Sequence, residues 1–260
     1  MRTIGMKPLL LALVCASLFA EMKCGSQNYN DRQKRFCKIS EQSMAAPGRL
    51  TVDGGRNGGV AVHGWNENRM LVRARIDAWA ETESEASLIG GQVQIGASGA
   101  QVKASGPESK DNTGWAVSYE IYVPRQTDLS VSAHNGGVHL EDLQGQLAFS
   151  THNGGVHLAR LGGEVKGSTH NGGVHVELAG GTWEGGGLQV ETYNGGVHVN
   201  APREYAARFR VETKNGGISS DFPMPASNER RPRSAEFNAG AGGPLLALKT
   251  VNGGVQVKRR

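Results

Sequence analysis

With 260 residues the chain can form one large domain or two small ones, and its 38 glycines follow no Gly-X-Y period, which excludes collagen. The formal net charge is +4, and Arg2 and Lys7 are the only charged residues among the first twenty, so losing that segment leaves +2. A balance that small excludes a nucleic-acid footprint.

Residues 1–20 read as an export signal: Arg2 and Lys7 at the start, an apolar stretch from Leu9 to Ala20, and Ala16, Ser17 and Ala20 as small residues for cleavage. The apolar run is short of the ~20 residues that span a bilayer. No spanning segment is therefore expected after cleavage, and the expected location is the periplasm, the cell surface or the medium. Lipidation at Cys15 is a weaker alternative, since Val14 suits a lipobox poorly. With Cys15 removed, Cys24 and Cys37 remain and can form a disulfide in an oxidising compartment. Residues 21–48 are polar up to Pro47-Gly48 and read as a tether.

A single domain is expected over residues 49–258. Its first part, 49–128, holds an isolated repeat (Leu50, Val52, Asn57-Gly58-Gly59-Val60, Val62) and then longer alternating segments. Met70, Val72, Ala74, Ile76 and Ala78 mark one strand, Val93 and Ile95 a second, and Trp115 to Val123, stopped by Pro124, a third. These strands are expected to cap one end of the repeat region, because a bare β edge invites aggregation.

The second part, 129–258, is dominated by Asn-Gly-Gly-(Val/Ile). The motif starts at Asn57, Asn135, Asn153, Asn171, Asn194, Asn215 and Asn252, and the last five gaps are 18, 18, 23, 21 and 37 residues. A short period with loop-sized insertions is the mark of a stacked repeat. With Asn as position zero, position −6 reads Leu129, Leu147, Val165, Leu188, Phe209 and Leu246, and position +3 reads Val138, Val156, Val174, Val197, Ile218 and Val255. Positions −4, −2 and +5 are similarly apolar or Thr, apart from Gly167 and Ser220, so the period is two on both sides of the Asn. That predicts half-buried strands. Asn-Gly is also the strongest hairpin signal, so a sandwich of hairpins competes. The 18-residue recurrence and a second Gly corner (Gln144-Gly145, Leu161-Gly162-Gly163, Ala179-Gly180-Gly181) favour a coil instead. The fold class expected is all-β: a β-solenoid, or β-helix-like stack, of ~18-residue two-strand rungs spaced about 4.8 Å apart. Longer strands would cap its N-terminal half. Corner Asn side chains would hydrogen-bond from rung to rung, and the rung at Leu246–Val257 would end the stack. The insertion Pro223–Gly243 reads as a mobile surface loop.

Tyr119 to Pro124, followed by Leu129-Ser-Val-Ser-Ala-His-Asn-Gly-Gly-Val-His-Leu140 and Leu143-Gln-Gly145, resembles the bacterial putative-adhesin β-solenoid family. The resemblance covers about residues 49–258. It implies a β-helix-like fold, export and an adhesive or scaffolding role, and it carries no catalytic residues.

Seven of the eight histidines fall in two columns: His134, His152 and His170 at −1, and His139, His157, His175 and His198 at +4. Both positions have outward parity. Stacked rungs would bring such imidazoles close enough to share Zn²⁺, Cu²⁺ or Ni²⁺. Duplication of one ancestral His gives the same columns without a ligand. Three functions therefore compete. The first is a non-enzymatic envelope adhesin or scaffold binding a protein or glycan, or further copies of itself. The second is metal binding through the columns. The third is a polysaccharide-active β-helix enzyme, for which Glu191 and Glu212, sharing column −3, are the one neighbouring acid pair. The basic tail Lys258-Arg259-Arg260 reads as a solvated end, or as a contact for anionic lipid or polysaccharide.

Overall fold

The computed structural model describes residues 22–25, 33–110, 112–226 and 232–260; the export signal expected over 1–20 lies outside them. In chain order the elements begin with β1 (Lys34–Ala45), β2 (Arg49–Asp53), β3 (Val60–Trp65), β4 (Arg69–Ala80), α1 (Glu83–Gln92), β5 (Gln94–Ser98), β6 (Gln101–Ser105) and β7 (Gly114–Pro124). Then come β8 (Asp128–Ala133), β9 (Val138–Glu141), β10 (Gln144–Asn153), β11 (Val156–Ala159), β12 (Gly162–Asn171) and β13 (Val174–Glu177). The chain finishes with β14 (Gly187–Asn194), β15 (Val197–Ala201), β16 (Ala207–Asn215), β17 (Ile218–Ser220), β18 (Ser234–Ala239), β19 (Leu245–Asn252) and β20 (Val255–Arg259).

The strands form two ten-stranded sheets that do not close into a barrel. One runs β1-β4-β7-β3-β9-β11-β13-β15-β20-β17, the other β18-β16-β19-β14-β12-β10-β8-β2-β6-β5. The strands flanking each Asn-Gly-Gly lie in different sheets, so the motif is not a hairpin turn. Each half of a copy pairs in parallel with the same half of its neighbour, without slippage. Leu147 faces Val165, Thr151 faces Thr169, and Val156 faces Val174.

That register puts like residues on like faces. The inward positions from both sheets enter one hydrophobic cluster, with Leu147, Phe149, Val156 and Leu158 of a single copy all buried. Each fully buried side chain of this size contributes about 1.5–3 kcal/mol. Gly167, the odd residue in column −4, is explained by its partner: a Cβ there would sit 2.4 Å from the Phe149 ring. Phe149 fills the space that a second side chain would need.

Several elements differ from the sequence reading. Residues 34–45, within the expected tether, form β1 and pair antiparallel with β4 along its whole length. Their inward face carries Phe36, Ser40, Gln42 and Met44, so the apolar alternation that would announce a strand is interrupted by polar residues. Cys24 and Cys37 are disulfide-bonded, which ties the segment before β1 to this strand. Helix α1 carries no apolar stripe, since only Ala86 and Gly90 are buried, and its one sequence signal is the Thr82-x-x-Glu85 pattern at its start. Thr82 caps it by accepting from the Glu85 amide at 3.2 Å, and Gly90 lets it close on Phe36. The insertion after Pro223 is not all loop: β18 pairs antiparallel with β16, and Phe237 stacks on Phe209.

The spatial order of the copies is not the chain order. Strands β19 and β20, last in the chain, lie between β14/β15 and β16/β17 rather than at the end. The other end mirrors this: β2 and β3, which carry the first copy, lie between β6/β7 and β8/β9. Length explains the displacement. The 37-residue gap before Asn252 and the 78-residue gap after Asn57 are long enough to step over a neighbouring layer. Beyond each end layer the parallel pattern stops, and antiparallel strands (β4 and β1, β5, and β18) continue the sheets.

Candidate functional site

The Asn-Gly-Gly corner forms three ladders. In the spatial order 57, 135, 153, 171, 194, 252, 215, each Asn Nδ2 donates to Oδ1 of the Asn before it, at 2.7–2.9 Å, so the ladder runs in one direction from 215 to 57. The buried Thr hydroxyls at −2 (Thr151, Thr169, Thr192, Thr250 and Thr213) donate at 2.7–2.8 Å to the first-glycine carbonyl of the neighbouring layer. This satisfies a polar group that burial would otherwise make costly. The first glycines lie so close that a Cβ on Gly154 would meet the Gly136 oxygen at 2.1 Å, and one on Gly172 would meet Gly154 at 2.1 Å. The need for glycine here is close backbone approach. Left-handed backbone occurs at the other corner instead, at Asp142, Arg160 and Gly163.

With the backbone pinned in this way, residues −1 and +4 become files of rings. His134, His152 and His170 stack at centroid distances of 5.0 and 4.9 Å, with planes within 3°, and Tyr193 continues the file at 4.8 Å. His139 stacks on His157 at 4.7 Å and His175 on His198 at 5.1 Å. Imidazole lone pairs lie in the ring plane. Parallel rings therefore point their nitrogens side by side, whereas a shared tetrahedral ion needs donors converging to about 3.3 Å apart. The stacking geometry favours a packed ladder over chelation within these files.

One histidine lies outside both columns. His63 of β3 pairs in register with Glu141 of β9, and its ring is tilted 40° to His139 at 5.3 Å. Its Nδ1 is 2.9 Å from Glu141 Oε2, and His139 Nε2 is 3.4 Å from the same oxygen. Arg160 holds the other oxygen, Glu141 Oε1, and is itself bound by Asp142 at 2.8 and 3.0 Å. Burial alone would raise the Glu141 carboxyl, but hydrogen bonds from Arg160, His139 and His63 hold it below the usual range. The Arg160 hydrogen bonds lower Asp142 as well. The signal for His63 is present in the sequence: it occupies position +6 of the first copy, the column that continues as Glu141, Ala159, Glu177 and Asn200. Reading the columns from the second copy onward misses it.

Two further sequence readings change. Glu191 and Glu212 are not neighbours, because the displaced last copy puts Lys249 between them, 3.8 Å from Glu191. The basic tail is part of the fold: Arg259 lies over the Phe222 ring at 4.4 Å, and Arg260 donates to the Leu178 carbonyl at 2.7 Å.

The +4 file makes stability depend on pH. Burial, then the His198 and His157 charges, hold His175 below the ordinary histidine value, with Glu177 opposing. The unfolded chain therefore takes up this proton first as pH falls. Stability is complete above about pH 6.5, the unfolded value, and declines below it until the folded imidazole is protonated too. Thermal melts are expected to show a lower Tm at pH 5 than at pH 7.5, and His175→Gln to shrink that difference. An equal pH response in the variant would remove His175 as the cause.

No protein-family model matches the sequence, and no curated protein matches it. Among solved structures, a putative cell adhesion protein from Clostridium sporogenes is 11% identical with a TM-score of 0.45, covering 86% of this chain and 100% of its own. A putative adhesin from Bacteroides fragilis is 12% identical with a TM-score of 0.38, covering 86% and 97%. One from Parabacteroides merdae is 10% identical with a TM-score of 0.29, covering 86% and 96%. These solved proteins are bacterial and carry the names putative adhesin or putative cell adhesion protein.

Proposed function

We propose that the chain is an exported, non-enzymatic β-solenoid that presents a repetitive polar and histidine-bearing face to a protein or glycan at the cell envelope, as an adhesin or scaffold. The observation that supports this is the unslipped register between copies. It repeats the same outward side chains at the strand spacing of about 4.8 Å, a flat periodic surface suited to an extended, repetitive ligand. The apolar start of the sequence supports export, and the Cys24–Cys37 bond fits an oxidising compartment. Among the described residues no helix is long and apolar enough to cross a membrane.

Cell fractionation with surface labelling tests the reading. The expected product is shortened by about twenty residues and reached by a membrane-impermeant amine reagent. Bearing cells are also expected to bind an envelope glycan or protein array, and to lose that binding when Ser150 and Ser168, beside the −1 file, are changed to Lys. An uncleaved chain confined to the cytosol would overturn it.

A further inference from the structure

We propose that His63 Nδ1, His139 Nε2 and Glu141 Oε2 bind one divalent transition-metal ion of the zinc type. This goes beyond the adhesin reading and does not depend on it. Among the described residues these side chains are the one group of three whose donor atoms all lie within 4.8 Å of one another.

The distances suit a first shell. Zinc binds imidazole nitrogen and carboxylate oxygen at about 2.0–2.2 Å, so tetrahedral ligands lie about 3.3 Å apart. The two donor distances to Glu141 Oε2 are 2.9 and 3.4 Å. The 40° tilt of His63 against His139 lets the two nitrogens converge, which the parallel rings further along the file do not. Two histidines and one carboxylate leave a fourth position for water or an outside group, as in open zinc sites.

The surroundings hold these ligands in place. Tyr122 stacks on the other side of His63 at 5.2 Å, and His157 stacks on His139 at 4.7 Å. Each ring is thus supported on two faces. Arg160 takes Glu141 Oε1 and so turns Oε2 toward the histidines, the kind of outer partner that orients a ligating carboxylate. The guanidinium charge is partly offset by Asp142, which Arg160 shares with Arg125, and this lessens its repulsion of an ion. All three ligands are half-buried and come from two directly paired strands, so the site needs no rearrangement of the backbone.

The test is a titration of the untagged chain with Zn²⁺ in competition with a chromophoric chelator. One equivalent is expected to bind with sub-micromolar affinity. His63→Ala is expected to weaken it by more than the roughly 10–100-fold that losing an outer partner costs, while His152→Ala, in the other file, leaves it unchanged. Cobalt loading of the unaltered chain gives a second readout that does not depend on any variant folding: the intense visible bands of a four-coordinate site are expected. Absence of stoichiometric zinc binding would overturn the proposal. So would several equivalents lost on His152→Ala, or only the weak spectrum of hydrated cobalt.

Discussion

Replacing Gly154 with alanine is expected to destabilise the protein by about 3 kcal/mol or more, and replacing its neighbour Gly155 by less than about 1 kcal/mol in either direction. The two glycines are adjacent and both exposed to some degree, so composition and burial do not separate them. Their neighbours do. A Cβ on Gly154 would stand 2.1 Å from the Gly136 oxygen and 2.5 Å from its carbonyl carbon. Both are backbone atoms, so no rotamer change relieves the clash, and the layers must part. Parting them also stretches the Asn153–Asn135 and Thr151–Gly136 hydrogen bonds. A Cβ on Gly155 meets nothing nearer than 3.7 Å. At about 2–4 °C per kcal/mol for a domain of this size, Gly154→Ala should lower Tm by about 6–12 °C. Equal melting of the two variants would show that close approach is not what the first glycine provides.

Deleting residues 244–260 should damage the protein far more than losing an edge strand does, because β19 and β20 lie inside the sheets. The deletion removes Leu246, Leu248, Val255 and Val257, all buried. At about 1.5–3 kcal/mol each, these four contribute roughly 6–12 kcal/mol, comparable with the whole stability of a typical domain, about 5–15 kcal/mol. It also opens a gap inside the stack, leaving β14 paired only with β12 and β16 without any parallel partner. Limited proteolysis should then cut within β16 and β17, residues 207–220, faster than it does in the intact chain. An unchanged digestion pattern and melting curve would mean that β16 and β17 do not depend on the last copy.

Most of the regular architecture is legible because the alternation around the Asn residues from Asn135 onward is broken only at Gly167 and Ser220. Positions −6, −4, −2, +3 and +5 name the core, and the Asn residues announce their own ladder. What stays hidden has physical causes. Strand β1 is held largely by backbone pairing, with Ser40 and Gln42 on its inward face, so no apolar rhythm marks it. The place of the last copy is hidden because every copy carries the same faces. Local pattern says that β19 fits a neighbour but not which one. The acid pair Glu191 and Glu212 fails for that reason. The histidine columns are legible as rows, but their parallel planes are not, since ring orientation is a tertiary property. His63 escapes the columns because the first copy stands 78 residues from the second.

The interleaving of copies also sets a timetable. A stack built in chain order can lengthen layer by layer as the polypeptide emerges. Here the slot beside β14 and β15 is filled by a segment made after the copy at Asn215, so this part of the fold cannot reach its finished arrangement until β19 and β20 are free. Until then, the copy at Asn215 presents the same apolar faces to that slot. Choosing between two near-identical occupants is a kinetic problem that the repeat itself creates, and only the arrival of β19 and β20 resolves it.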